Sequence, residues 1–303
     1  MSAFAAYTII GLSVGGVYAL AALGIVLIYR TTGVVNFAHG AMGMFSTFIA
    51  WQFFYGFPHP FWPEWLATVI AVVAALVFAA LLGLTLELAV FRWVRTREPV
   101  VKAVITIGVL LALQSAASLI WKNNQYHLPI YVVPQQWVWV VPGAGVPIGA
   151  NSMLIIGAAI GLAVGLGAFL HYTSFGRSMR AVSDSPTAAS LWGVPVGRVG
   201  AVSWMLGSVL AAVGGILITA EGINFDTTSL TLLIIDALAA ALIGGMASLP
   251  LTVVGGFALG LLETYPTIWI QSLGFPRLVA LLVILFVLIV RSPRALTVAV
   301  ASK

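Results

Sequence analysis

The stretch WLATVIAVVAALVFAALLGLTLELAVF, from Trp65 to Phe91, determines the class of structure that this chain forms. Its one charged residue is Glu87, and the other side chains are almost all apolar or small. About 20 consecutive apolar residues allow a helix to cross the hydrocarbon core of a bilayer. A chain in lipid must satisfy its backbone hydrogen bonds internally, which an α-helix does. The stretch therefore predicts a membrane-spanning helix.

Similar apolar runs recur along the chain and predict an all-α, polytopic transmembrane helical bundle of about nine spans, within a range of about eight to ten. No long hydrophilic stretch separates them, so residues 1–303 are expected to form one transmembrane domain. The last run is short and is expected to tilt or to insert only partly. The other predicted spans are 5–29, 37–57, 100–121, 152–171, 200–220, 230–249, 252–271 and 278–290.

The composition excludes several classes of protein. Hydrophobic residues make up 61% of the 303 positions and charged residues 7%, against about 25% charged residues in soluble domains. The sequence has no cysteine for a disulfide or a thiolate site, and its histidines lack metal-ligand spacing, so neither an enzyme nor a cofactor is expected. The 13 basic residues are too few for a nucleic-acid surface. A glycine-rich phosphate loop is also missing, so ATP hydrolysis, if required, is expected in separate subunits.

Basic residues predict the orientation of the bundle. Clusters within 92–102, 177–198 and 291–303 are expected on the cytoplasmic side, because Lys and Arg in short loops are retained there. The N-terminus and the loop 122–151 are then extracytoplasmic. This loop is rich in Pro, Trp and Tyr, and two interpretations stay open: a hairpin resting on the membrane, or a platform for an extracytoplasmic partner.

A few polar side chains lie within the predicted spans, where they are costly and usually face a cavity or one another. Asp236 lies in a helix of small residues, and Glu263 lies near the middle of its span. For both carboxylates a role in a pathway or gate and a structural hydrogen bond are open interpretations. Glu87 lies close to Arg92 and is expected to extend to the inner interface. The other polar side chains considered within or next to the spans are Asn36, His39 and Gln114.

Glycines at every fourth position occur in three predicted helices, a spacing that favours close contact between membrane helices. We expect packing at these positions, with sliding of the helices during a conformational cycle as the alternative. The residues are Gly11, Gly15, Gly157, Gly161, Gly165, Gly256 and Gly260.

The cytoplasmic loop 172–199 contains signals for a short capped helix. Ser185 is a good N-cap, Pro186 suits the first helical position, and Gly193 is a stop signal. These residues predict a helix from Pro186 to Trp192, roughly 10 Å long. A short rigid element suits the transmission of force from a cytoplasmic partner, and an ordinary interfacial helix is the alternative.

Three motifs resemble the membrane subunits of the branched-chain amino acid ABC importers. Asn36-Phe-Ala-His-Gly40 is the most specific of them. The sequence FGRSMRAVSDSPTAASLWG, which ends at Gly193, resembles the cytoplasmic loop that contacts the ATPase in that family. Gly244-Gly-Met-Ala-Ser-Leu-Pro250 resembles its late glycine-rich motif. The similarity covers nearly the whole chain.

The resemblance implies the permease of a bacterial inner-membrane importer for branched-chain amino acids or related small polar solutes, such as urea, amides and aromatic acids. The implied partners are two ATPase subunits, a second related permease, an extracytoplasmic substrate-binding protein and membrane lipid. Residues expected to contact the ATPase are Phe175, Gly176, Arg177, Arg180, Asp184, Ser185, Pro186, Ala188, Ala189, Leu191 and Gly193. Residues expected to line the translocation pathway are Asn36, Phe37, His39, Gly40, Asp236, Gly244, Gly245 and Glu263.

An ion- or proton-coupled secondary transporter that acts without an ATPase is the alternative function. In that case Asp236 or Glu263 is the coupling carboxylate. The capped cytoplasmic helix argues against it, because a transporter working alone needs no such docking element.

Overall fold

The computed structural model describes residues 2–56, 63–128, 138–140, 147–220, 224–270 and 274–300, and most of them are helical. Two single-turn 3₁₀ helices, Phe91–Trp93 and Tyr265–Ile268, extend α3 and α10. The helices are α1 (Ser2–Thr32), α2 (His39–Gly56), α3 (Glu64–Ala89), α4 (Pro99–Trp121), α5 (Ala150–Tyr172), α6 (Ser174–Asp184), α7 (Pro186–Leu191), α8 (Val196–Ala220), α9 (Leu233–Ile243), α10 (Leu249–Thr264) and α11 (Phe275–Val300).

Six helices within the described residues are long and apolar enough to cross a membrane: α1, α3, α4, α5, α8 and α10 with its 3₁₀ extension. Helix α9 and the apolar part of α11 are shorter, and α2 is not among the six. The prediction of an all-α, polytopic membrane protein is therefore confirmed, whereas the count of about nine spans is not.

Helix α1 lies at the centre of the bundle. Every residue from Gly15 to Ile28 is buried, and the helix packs against α5, α8, α9 and α10. A helix that is apolar on all faces is expected in such an interior position. Helices α3, α4 and α5 lie at the periphery and expose most of their surface. The core of the protein is therefore the group of helices around α1.

Glycines allow α1 and α10 to cross closely. A Cβ atom on Gly15 would lie 2.8 Å from the carbonyl oxygen of Gly256, and one on Gly256 would lie 2.6 Å from the Cα of Ala19. Gly11 and Gly260 belong to the same contact. The packing prediction is confirmed for these four glycines, because no side chain fits between the two backbones.

The glycines of α5 behave differently. A Cβ atom on Gly157, Gly161 or Gly165 would meet nothing within 4 Å. Among the described residues these three glycines therefore contact no other helix, so the predicted packing is not found within this chain. Helix α5 contacts α1 through another face, which includes the buried Ile155 and Ala159.

Aromatic side chains close the end of the bundle where α2 and α4 finish. Phe48 stacks on Trp121 at 4.8 Å between ring centroids and meets Phe225 at 5.0 Å. In the predicted extracytoplasmic loop, strands β1 (Val138–Val140) and β2 (Pro147–Gly149) pair antiparallel. The rest of that loop, residues 129–137 and 141–146, lies outside the described residues, as do the predicted span ends at 57 and 271 and the basic residue at 303.

Candidate functional site

The predicted coupling segment folds into two short helices, α6 and α7. The hydroxyl of Thr173 accepts a hydrogen bond from the Gly176 N–H at 2.9 Å and caps α6. The hydroxyl of Ser185 accepts one from the Ala188 N–H at 3.2 Å and caps α7. The capped helix is therefore confirmed, although it ends at Leu191, one residue earlier than expected. Helix α6 is an element that the sequence analysis missed.

One face of this segment rests on the bundle. Met179, Val182 and Ala189 are buried, with exposed fractions of 5% or less. A Cβ atom on Gly176 would lie 2.5 Å from the Cα of Leu170, so only glycine allows α6 to approach the end of α5 this closely. The segment is therefore packed firmly against the neighbouring helices.

The other face of the segment is exposed. Leu191 and Trp192 are 83% and 88% exposed, although both side chains are large and apolar. The two side chains form an exposed apolar pair at the end of α7, and the sequence analysis did not single out Trp192. Of the other expected contact residues, Arg177, Asp184, Pro186, Ala188 and Gly193 are exposed, and Phe175, Arg180 and Ser185 are half-buried.

The turn before α2 is fixed by Asn36. Its Oδ1 accepts a hydrogen bond from the Ala38 N–H at 3.0 Å, and its Nδ2 lies 3.4 Å from the Met42 sulfur. His39 begins α2 and is 1% exposed, and its imidazole lies beside the backbone of Ala21 on α1. The ring packs on α1, where a Cβ atom on Gly24 would lie 2.5 Å from the His39 Cε1.

His39 and Gly40 border a small cavity of about 10 Å³ between α1, α2, α8 and α9. A space of this size holds about one water molecule. Phe37 is half-buried nearby. The structure thus places this part of the predicted pathway in the packed interior of the subunit.

The structure brings the two intramembrane carboxylates together. Asp236 on α9 interacts electrostatically with Glu263 on α10 and with Arg277 on α11. The hydroxyl of Tyr18 on α1 donates a hydrogen bond to Glu263 Oε2 at 2.7 Å. Glu263 is 3% exposed, and its Oε1 has no hydrogen-bond partner among the described atoms. Tyr18 is a member of this cluster that sequence reasoning missed.

Gly244 and Gly245 form the tight turn between α9 and α10. Gly245 and Met246 have φ values of +69° and +56°, in the left-handed region that favours glycine. A Cβ atom on Gly244 would lie 2.8 Å from the Thr252 backbone nitrogen. Backbone conformation therefore accounts for glycine at position 245, and close packing accounts for glycine at position 244.

Glu87 does not extend to the interface as expected. It is 1% exposed and forms an ion pair with Arg95. Arg95 also donates to the Gly197 carbonyl at 3.4 Å, at the start of α8. The nearby guanidinium explains the difference, because a paired carboxylate no longer needs to reach water.

Known proteins are similar in sequence to this chain over almost its whole length. The family described as "Branched-chain amino acid transport system / permease component" matches residues 7–290. This chain belongs to that family. The high-affinity branched-chain amino acid transport system permease protein LivH of Escherichia coli is 28% identical over 92% of this chain and 91% of its own length. The corresponding protein BraD of Pseudomonas aeruginosa is also 28% identical, over 84% and 83%.

A more distant relative carries a different name. The xylose/arabinose import permease protein XylH of Sulfolobus acidocaldarius is 26% identical over 59% of this chain and 46% of its own length. No solved structure matches the chain. Family membership confirms the resemblance drawn from the three motifs and identifies the chain as a multi-pass permease component.

Proposed function

We propose that this chain is the permease subunit of an ATP-driven importer of branched-chain amino acids in a bacterial inner membrane. The match to the permease family over residues 7–290 carries the proposal. The names of LivH and BraD support branched-chain amino acids as substrates. Related small polar solutes form the wider class, because the name of XylH indicates that relatives transport other molecules.

The proposed complex contains two ATPase subunits, a second related permease and an extracytoplasmic binding protein. The segment 172–199 transmits motion from the ATPase to the bundle. Two observations support this role: Ala189 is buried against the bundle, and Leu191 and Trp192 are exposed at the other end of α7. A helix with one fixed and one free face can transfer displacement between two proteins.

The translocation pathway of the proposal passes the start of α2. His39 supports this placement, because a buried polar side chain at this depth usually faces a cavity, and His39 borders the cavity between α1, α2, α8 and α9. Replacing Asn36 and His39 together by alanine is expected to lower uptake while the complex still assembles. Unchanged uptake by the double variant would reduce both residues to packing roles.

In the part of the chain that the structure describes, the Tyr18–Glu263–Asp236 cluster is the feature that favours the secondary-transporter alternative, since buried carboxylates often carry protons in such proteins. The cluster is equally suited to holding three helices together. Family membership supports the ATP-driven mechanism instead.

Reconstitution into proteoliposomes tests the proposed function. The chain is co-purified with its proposed ATPase and permease partners, the binding protein and leucine are added outside the vesicles, and ATP is enclosed in the lumen. Uptake of radiolabelled leucine is expected to require ATP, to compete with isoleucine and valine, and to persist when an ionophore removes the proton gradient. A variant of the ATPase phosphate loop is the control. Uptake by this chain alone, driven by a proton gradient, would overturn the proposal.

A further inference from the structure

A cavity of about 650 Å³ lies between α1, α5 and α10, at the end of the bundle that carries α6. Ile160 and Val164 line it from α5 and are 49% and 66% exposed, so the cavity is continuous with a peripheral helix surface. The rest of its wall is mostly apolar and includes Leu23, Leu170 and Val253. None of the residues proposed for the translocation pathway borders it.

Basic side chains border this apolar cavity. Arg30 from α1 and Arg180 from α6 both line it, together with His171. Arg30 Nε donates to the Ser183 hydroxyl at 3.0 Å, and an Arg180 nitrogen lies 3.4 Å from His171 Nδ1. The two guanidinium groups are therefore held in place by neighbouring side chains.

These guanidinium groups have no anionic partner in the described part of the protein. The ion pair found there joins Arg95 to Glu87, at another site. The described lining of the cavity contains no Asp or Glu, and Arg180 Nε is buried without a hydrogen-bond partner among the described residues. Two uncompensated positive charges beside an apolar space create a site for a molecule with an anionic head and an apolar body.

We propose that this cavity binds one anionic phospholipid of the cytoplasmic leaflet. The phosphate accepts hydrogen bonds from Arg30 and Arg180, and an acyl chain lies against Ile160 and Val164. Basic pockets between membrane helices on the cytoplasmic side bind anionic headgroups in this way. A zwitterionic amino acid fits less well, because the described lining offers no carboxylate for its ammonium group.

The proposal rests on the orientation that the basic clusters predict, and not on the transported substrate. It has a consequence for α6. Because Arg30 belongs to α1 and Arg180 to α6, one phosphate bound by both joins the central helix to the coupling segment. Lipid composition then influences how firmly α6 is held.

Lipid titration in nanodiscs tests the site on the complete complex. Nanodiscs of phosphatidylcholine receive increasing amounts of phosphatidylglycerol, and native mass spectrometry counts the lipids that remain on the protein. Each surface arginine contributes about a fivefold preference for anionic lipid. Arg30→Gln and Arg180→Gln are each expected to reduce phosphatidylglycerol retention roughly fivefold without changing phosphatidylcholine retention. Arg198→Gln removes an exposed guanidinium that does not border the cavity and is the matched control, with no expected change.

A second variant tests the apolar part of the site. Gly167 lines the cavity, and a Cβ atom there would meet nothing within 4 Å among the described residues, so Gly167→Leu places additional apolar atoms in the cavity. It is expected to abolish the selective retention of phosphatidylglycerol while both arginines remain.

Several results would overturn the proposal: equal retention of the two lipids, the same loss from Arg198→Gln as from Arg30→Gln, or full retention by Gly167→Leu. Binding of inorganic phosphate without selective retention of phosphatidylglycerol would indicate a free-anion site, and binding of leucine without that retention would indicate a substrate vestibule. Either result rules out the lipid as the occupant. Since the readout is lipid binding, it does not depend on ATP-driven uptake.

Discussion

Helices α1 and α5 carry the same glycine spacing and use it in opposite ways. On α1, Gly15 meets the backbone of α10, and the surrounding residues are buried on every side. On α5, Gly157, Gly161 and Gly165 meet nothing within 4 Å in the described residues. Glycine at every fourth position therefore shows that another helix can approach closely, but it does not show whether one does.

The difference follows from what covers the apolar surface of each helix. Helix α1 is enclosed by the helices around it, so its glycines serve packing within the chain. Helix α5 contacts α1 along one face and leads directly into α6 and α7. Changes on the α1–α10 side should therefore affect folding, whereas changes on the α5–α7 side should affect function or have little effect.

The largest effect is expected from Gly256→Val on the α1–α10 side. A Cβ atom at this position would lie 2.6 Å from the Cα of Ala19, and backbone cannot move aside as a flexible side chain can. The destabilisation should reach about 3 kcal/mol or more, at or above the upper end of overpacking costs. The measurement is the yield of monodisperse protein in detergent and its apparent melting temperature. A wild-type melting temperature would show that the two helices separate easily.

Ala189→Pro should stop transport while the bundle remains folded. Proline in the interior of α7 breaks a helix at a cost of roughly 3 kcal/mol, which a six-residue element cannot recover from its own backbone bonds. Uptake and binding-protein-stimulated ATP hydrolysis are measured in proteoliposomes, and both should be lost. Ala189→Ser is the control, because it keeps the helix. Full uptake by the proline variant would show that force enters the permease elsewhere.

Tyr18→Phe tests the polar contact within the α1–α10 side. It removes the hydroxyl that donates to Glu263 and leaves a buried carboxyl group without that bond, at a cost of about 1–3 kcal/mol. A double-mutant cycle with Glu263→Leu, which removes the acceptor oxygens, isolates the pairwise free energy, with thermal unfolding in detergent as the readout. Additive effects of the two substitutions would mean that the hydrogen bond contributes nothing to stability.

The smallest effect, and one of opposite sign, is expected from Gly161→Ala on α5. Among the described residues no other element lies within 4 Å of the added methyl group, and alanine favours a helix interior over glycine by about 1 kcal/mol. The isolated chain should therefore keep or slightly raise its melting temperature. Gly256→Ala, measured in parallel, should lower it. A similar fall in both variants would contradict the contrast between the two helices.

Local features of this fold follow from the sequence. The Ser185 cap and the proline after it depend on neighbouring residues, so the start of α7 was predictable. Apolar length likewise predicts the long spans. Helix α2 begins two residues later than expected, because the Asn36 side chain caps the turn before it.

Long-range features do not follow from the sequence. Tyr18 and Glu263 form a hydrogen bond across 245 positions, and no spacing pattern connects residues that far apart. The ion pair of Glu87 with Arg95 was missed for a related reason: a loop after α3 returns Arg95 to the helix end, and periodicity does not describe loops. Helix α6 escaped prediction because it has few apolar residues.

The contact between Gly15 and Gly256 has a consequence for biosynthesis. About 240 residues separate the two glycines, and translation at roughly 5–20 residues per second takes on the order of ten to fifty seconds to cover them. For most of that interval α1 has left the ribosome, whereas α10, which packs against it, has not yet been made. The apolar surface of α1 that other helices later cover is at first exposed to lipid or to an insertion factor. The most enclosed helix of the permease is thus the one that is made before all of the helices that enclose it.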